Sequence, residues 1–146
     1  MSTTQNTATG IAKISSKKLL TVAPLAGIVA AAINAVLFFI GKATGLISDS
    51  VLIQPSNQPI SLVPVLISSI LPTLLAAGVL ALLNRFVAAP LRVFTIIAVV
   101  LLVLSFINPF AAIPNIPIGM GIWLNVMHVV VAGVVVLAFR RFTAAE

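Results

Sequence analysis

The chain has 146 residues, of which 61% are hydrophobic and only 7% are charged, and its mean hydropathy is +1.28. Soluble domains carry about 25% charged residues, so this composition excludes an ordinary soluble domain and favours a lipid bilayer as the main partner. The net charge of +6 comes from basic residues that flank apolar segments. Because they form no patch with interleaved aromatic residues, we expect no nucleic-acid partner.

The chain begins with residues 1–16, which are rich in Ser and Thr and lack helical periodicity. They are predicted to form a disordered cytoplasmic tail. The long apolar segments that follow lack the alternation of barrel strands and are predicted to be helices, since backbone groups in lipid need internal partners. We therefore expect an all-α protein, an integral membrane four-helix up-and-down bundle. Its single transmembrane domain covers 17–142, with spans at about 19–40, 60–86, 93–107 and 119–139.

The three connections between the predicted spans differ in character. Residues 41–59 are the most polar internal stretch and are predicted to form a loop. Residues 84–92 are a short basic turn containing Pro90, which fits a hairpin between antiparallel helices. Residues 108–121 contain three prolines and no charge. We expect this last segment to lie at the membrane interface or to dip between helices.

Basic residues predict the orientation. Seven of the eight fall in the tail, the second connection and the C-terminus, and only Lys42 lies in the two opposite loops. The positive-inside rule then places the N- and C-termini in the cytoplasm. The seven are Lys13, Lys17, Lys18, Arg85, Arg92, Arg140 and Arg141.

Small residues recur at four-residue spacing in the first span (Ala23, Gly27, Ala31 and Ala35) and in the second (Ala77 and Ala81), which allows close approach of a second backbone. In the fourth span, one face carries Gly121, Asn125, His128 and Ala132. These faces are predicted to line the bundle or an interface with a second copy or another membrane protein.

Five polar residues of the predicted spans form a candidate ligand-binding layer. At a helical rise of 1.5 Å per residue they lie about 18–24 Å from the cytoplasmic boundary. They are His128, Asn125, Asn34, Thr73 and Ser105. One interpretation is interhelical hydrogen bonding worth about 1 kcal/mol or less per contact. The other is a ligand or proton site at His128, with Asn125 and Asn34 as its neighbours.

Reactive groups are scarce, and no catalytic residue is predicted. The only acidic residues, Asp49 and Glu146, lie outside the spans, which disfavours ion-coupled transport. A single histidine and no cysteine supply neither a zinc site nor bis-His haem ligation within one chain. We therefore predict no metal, no cofactor and no enzyme activity.

Three functions stay open at this point. The first is a structural or interaction subunit whose polar layer holds the helices together. The second is a small-molecule binder or permease with a polar pocket around His128. The third and weakest is a redox protein associated with a cofactor or quinone. A cavity at the depth of His128 would favour the second over the first.

The chain also resembles a family of small, uncharacterised, four-helix bacterial membrane proteins. The resemblance covers residues from about Lys18 to Arg141 and implies a location in the bacterial inner membrane. It implies no activity, because the family is one of unknown function. It rests on the segments Ala31 to Leu37, Leu82 to Arg85, Leu104 to Ser105 and Val126 to His128.

Overall fold

The computed structural model describes residues 13–144 and is mostly helical. Four of its helical segments are long and apolar enough to cross a membrane, which confirms the predicted all-α, four-helix fold. The helices are α1 (Ser16–Ala43), α2 (Leu62–Phe86), α3 (Pro90–Ser105), α4 (Asn108–Ala112) and α5 (Ile118–Phe142). A two-stranded antiparallel hairpin joins α1 to α2 and consists of β1 (Leu52–Ile53) and β2 (Gln58–Pro59).

The start of α1 and the end of α5 meet at one end of the bundle. Ile14 forms an antiparallel bridge with Ala144, and Ser15 N donates to Thr143 O at 2.8 Å. Of the predicted tail 1–16, only residues 13–16 are described, and within them Ile14 is 5% exposed. We call this the basic end, because the junction of α2 and α3, with its arginines, lies there too. The opposite end, which carries β1 and β2, is the hairpin end.

The third span is longer than the predicted 93–107. The helix α3 begins at Pro90, whose missing N–H costs nothing at the first helical position. After a turn at its C-terminus the chain continues into α4, so the apolar segment Pro90–Ala112 covers 23 residues. The uncharged connection predicted at 108–121 therefore contains a short helix, and only residues 113–117 separate α4 from α5.

Helix packing explains where the core lies. The helix α1 contacts α2 and α5 most extensively, and α3 contacts α5 and α2, so the four spans are arranged as a square. The predicted small-residue stripe of α1 is used inside the chain: Ala23, Gly27 and Ala31 are buried, and a Cβ on Gly27 would lie 3.5 Å from Ile70 Cα of α2. Close approach of the two backbones follows from this stripe.

Two separate apolar clusters form the core. One, at the basic end, includes Leu19, Leu80 and Phe139. The other, at the hairpin end, includes Phe38 and Met120. The buried polar residues Asn34, Ser69 and Thr73 fall between the two clusters along α1 and α2.

Candidate functional site

Among the residues of the predicted polar layer that form hydrogen bonds between helices, Asn34 is the most buried. Its side chain is 3% exposed, and its Nδ2 donates to Ser69 Oγ of α2 at 3.0 Å and to Met127 O of α5 at 3.3 Å. Asn34 thus ties α1 to both of its neighbours. Its Oδ1 is buried and accepts no hydrogen bond from the described residues. Such an orphaned acceptor is expensive in a low-dielectric interior.

His128 lies one residue beyond Met127 on α5. Its Nδ1 is 2.8 Å from Leu124 O in the preceding turn. Since a carbonyl oxygen only accepts, Nδ1 must carry the hydrogen of this bond, and in the neutral ring Nε2 is then an acceptor. No described residue donates to Nε2. The ring is half-buried and contributes to the wall of a cavity.

That cavity has a volume of about 580 Å³ and lies between α2, α3 and α5, with Asn34 of α1 at its back. This is within the size range of small-molecule sites, about 300–1,000 Å³. Its lining on α3 runs from Phe94 to Ser105, one helix face about 17 Å long. The cavity is therefore long and narrow.

The two ends of the cavity differ in polarity. All its polar lining residues lie toward the hairpin end, namely Asn34, Ser68, Ser105, Asn108 and His128. Toward the basic end the wall is purely apolar and is formed by Leu75, Ala76, Val79, Phe94, Ile97, Ala98, Val131, Ala132 and Val135. The shape and polarity match a molecule with one polar head and an elongated apolar body.

The cavity opens between α2 and α3. Most of its exposed lining residues, such as Pro72, Leu75 and Leu101, belong to these two helices. The lining residues of α5 and Asn34 of α1, by contrast, are buried or half-buried and form the back wall. The exposed rim is apolar except for Ser68 and Asn108 toward the hairpin end, and it lies within candidate membrane spans, which is consistent with an opening toward the hydrocarbon of a bilayer.

The structure brings three of the five predicted site residues together, since Asn34, Ser105 and His128 line the cavity. The other two lie elsewhere. Thr73 is fully buried and donates to Ser69 O at 2.8 Å within α2. Asn125 donates to Phe106 O at 3.1 Å and holds the turn between α3 and α4 against α5. These two residues are not part of the cavity wall.

Sequence reasoning missed Ser68, Pro72 and Asn108 as lining residues. Pro72 carried a usable signal: a proline inside a helix leaves the carbonyl four residues earlier, that of Ser68, without its helical donor. Both residues line the cavity. The carbonyl of Ser68 thus lacks its usual helical donor at a residue of the polar end.

Among the described residues, the cavity wall holds no Lys, Arg, Asp or Glu side chain. Asp49, the only acidic residue between 13 and 144, forms an ion pair with Lys42 at the hairpin end, with its own side chain 76% exposed. In the same part of the chain, no three His, Asp or Glu side chains come together as metal ligands. His128 is the one titratable side chain in the cavity wall.

Comparison with known proteins identifies the family of the chain. Residues 15–145 match the model of a family of unknown function, DUF6069. The match covers nearly the whole chain, so the protein belongs to this family, and the resemblance to an uncharacterised family that we stated from the sequence is confirmed. No curated protein and no solved structure matches the chain.

Proposed function

We propose that this member of a family of unknown function is a membrane-embedded binding protein for a lipophilic small molecule, which enters from the bilayer between α2 and α3. A single observation carries the proposal: a cavity of about 580 Å³ at the depth of His128, with a polar end and an apolar end. A packed, sealed layer would have favoured the structural subunit that was the first expectation from the sequence.

An unpaired acceptor supports a ligand over simple helix packing. Interhelical hydrogen bonding accounts for Asn34 Nδ2, which contacts both α2 and α5. It does not account for His128 Nε2, which receives no hydrogen bond from the described residues. Polar groups at membrane depth need partners, and a bound head group would supply them.

We propose binding and not catalysis. The cavity wall holds His128 but no carboxylate, thiol or second imidazole, so a proton taken up by His128 has no relay partner there. A redox protein loaded with haem or flavin would need the cavity to hold a chromophore. An absorption spectrum of the purified protein separates these functions, because a visible band would support the redox alternative.

The direct test is retention of ligand by the purified protein. Wild-type protein, extracted from its native membrane in mild detergent, is compared by mass spectrometry with the variant Ala132→Phe, which fills the apolar end of the cavity. The matched control is the neighbouring Gly133→Ala, whose new Cβ meets nothing within 4 Å. We expect a lipophilic compound in the wild type and the control, and a loss of at least ten-fold in Ala132→Phe.

Equal amounts of every extracted lipophile in all three proteins would overturn the binding proposal. To guard against misfolding of Ala132→Phe, Ala98→Leu narrows the same cavity from α3 by a smaller change, and its melting temperature is measured in parallel. Retention that is unaffected by either substitution in folded protein would leave the structural or interaction subunit as the better function.

We further propose a bacterial inner-membrane location with both termini in the cytoplasm. The support is the placement of Lys17, Arg85 and Arg140 together at the basic end, against one lysine in the segments of the hairpin end. A homo-oligomer has less support, because the small-residue stripe that predicted it is largely covered by α2 within the chain. The predicted face of α5 is likewise turned inward at His128 and Ala132, which line the cavity.

A further inference from the structure

We infer that the ligand is a neutral molecule whose polar head is a hydroxyl group that donates hydrogen bonds, and that the corresponding ether or carbonyl compound is discriminated against. The inference rests on the proposed binding function and specifies its ligand chemistry. It follows from the hydrogen-bond partners of the cavity wall. The donors on its inner side are already bonded within the protein, so that side offers a ligand only acceptors.

The donors of the wall are already engaged. Both hydrogens of Asn34 Nδ2 have partners, in Ser69 Oγ and Met127 O. The hydroxyl hydrogens of the two lining serines are given to carbonyls of their own helices, Ser68 to Val65 O at 3.0 Å and Ser105 to Leu102 O at 2.7 Å.

The imidazole hydrogen of His128 is given to Leu124 O. The amide of Asn108 is the one lining donor without an assigned acceptor among residues 13–144, and it lies at the exposed rim toward the hairpin end. A ligand that reaches the back wall therefore meets no free donor there.

Acceptors remain at the polar end. Nε2 of His128 is one, and the carbonyl of Ser68, which Pro72 deprives of its helical donor, is another. A ligand carbonyl or ether oxygen placed near them would form no hydrogen bond, because its lone pairs would be directed at the lone pairs of the protein acceptors. A hydroxyl donates to one of them, and so satisfies a group that is otherwise unpaired at membrane depth.

A cationic donor such as an ammonium group fits less well. The only acidic residue in the described chain, Asp49, is paired with Lys42 at the hairpin end and is absent from the cavity wall. A positive charge would enter the hydrocarbon region without a counter-ion, which is far more costly than burial of a neutral hydroxyl. The chemistry of the wall thus selects a long-chain alcohol or phenol.

The test uses two probes that share an apolar body. The phenol para-nonylphenol donates a hydrogen bond, and its methyl ether, para-nonylanisole, does not. Binding is measured by equilibrium dialysis against wild-type protein in lipid nanodiscs, with empty nanodiscs subtracted to remove partition into lipid. We expect the phenol to bind about ten-fold more tightly than the ether, as one hydrogen bond to an otherwise unpaired buried acceptor implies.

The variant His128→Phe keeps an aromatic ring and removes the acceptor. We expect it to reduce the preference for the phenol to about two-fold or less while the ether binds as before. The control Val129→Ala, on the exposed face of α5, should keep the full preference. Equal binding of phenol and ether to the wild type would overturn the hydroxyl inference and leave the binding function standing. No binding of either probe beyond empty nanodiscs would count against both.

Discussion

The amide of Asn84, at the end of α2, holds both backbone groups of Ile14, which lies 70 positions earlier in the chain. Ile14 N donates to Asn84 Oδ1 at 3.0 Å, and Asn84 Nδ2 donates to Ile14 O at 3.2 Å. Ile14 also forms an antiparallel bridge with Ala144. Ile14 therefore links the start of α1 to the ends of α2 and α5 at the basic end.

Replacing Asn84 with Leu should loosen this junction. The substitution preserves size but leaves the N–H and carbonyl of Ile14 without these partners, which we expect to cost about 1–3 kcal/mol of unfolding free energy. Hydrogen exchange at the Ile14 amide should accelerate. The control Ser56→Ala, in the exposed hairpin turn, removes a local hydrogen bond and should leave that amide protected. Unchanged exchange in Asn84→Leu would contradict the assigned role.

Gly121 should not tolerate a side chain. A Cβ at this position would collide with the ring of Phe110 on α4, whereas a Cβ at Gly133 on the same helix meets nothing within 4 Å. We expect Gly121→Ala to destabilise the protein by about 1–3 kcal/mol, and Gly133→Ala to be neutral or to stabilise by up to about 1 kcal/mol. Thermal melts in detergent measure both.

The second half of this test is a double substitution. Phe110→Ala removes the ring that the new methyl group meets, so adding it to Gly121→Ala should recover much of the lost stability. If the losses of stability in the double variant are strictly additive, the side chains at positions 110 and 121 are not in steric contact.

Trp123 should report on Gly41 by fluorescence. It is the one tryptophan of the chain, and its Nε1 donates to Leu37 O at 3.1 Å. A Cβ on Gly41 would lie 2.7 Å from that nitrogen, so Gly41→Ala must displace the indole ring or the helix. We expect a shifted emission maximum in Gly41→Ala and none in Gly78→Ala, where the added Cβ meets open space. Identical spectra would refute the contact.

Asn34 and Thr73 should differ in their effect on stability although both are buried polar residues. Asn34→Leu removes hydrogen bonds to two neighbouring helices and should cost about 1 kcal/mol. Thr73→Val removes one bond within α2 and should change stability by less than half as much. The two variants are compared by denaturation in the same detergent. A larger loss of stability in Thr73→Val than in Asn34→Leu would contradict the interhelical role of Asn34.

The proposed orientation can be tested with cysteines, because the natural chain has none. Ser56→Cys places a thiol in the hairpin, and Ala88→Cys places one at the basic end. Intact spheroplasts are treated with a membrane-impermeant maleimide. We expect position 56 to be labelled in intact spheroplasts and position 88 to be labelled only after lysis. The reverse pattern would invert the topology.

The sequence could predict the four long apolar helices. This prediction depends only on hydropathy along a single segment. For the same reason, the small-residue stripe at Gly27 was recognised as a packing face. Its partner, α2, could not be predicted, because the sequence of α1 does not specify which helix packs against it. The length of the third span was underestimated because Asn108 and Pro109 are ordinary helix stops, and the structure accommodates them at the start of a new helix, α4.

The sequence by itself thus determined that this chain has four helices apolar enough to cross a membrane and which polar groups they carry, since transfer into hydrocarbon is a sum over consecutive residues. Only the tertiary structure decided which of those groups face an open cavity. Asn34 and His128 line it and Thr73 and Asn125 do not, because the rotation of each helix is set by contacts between side chains distant in sequence. The difference between helix packing and a binding site lies in that rotation.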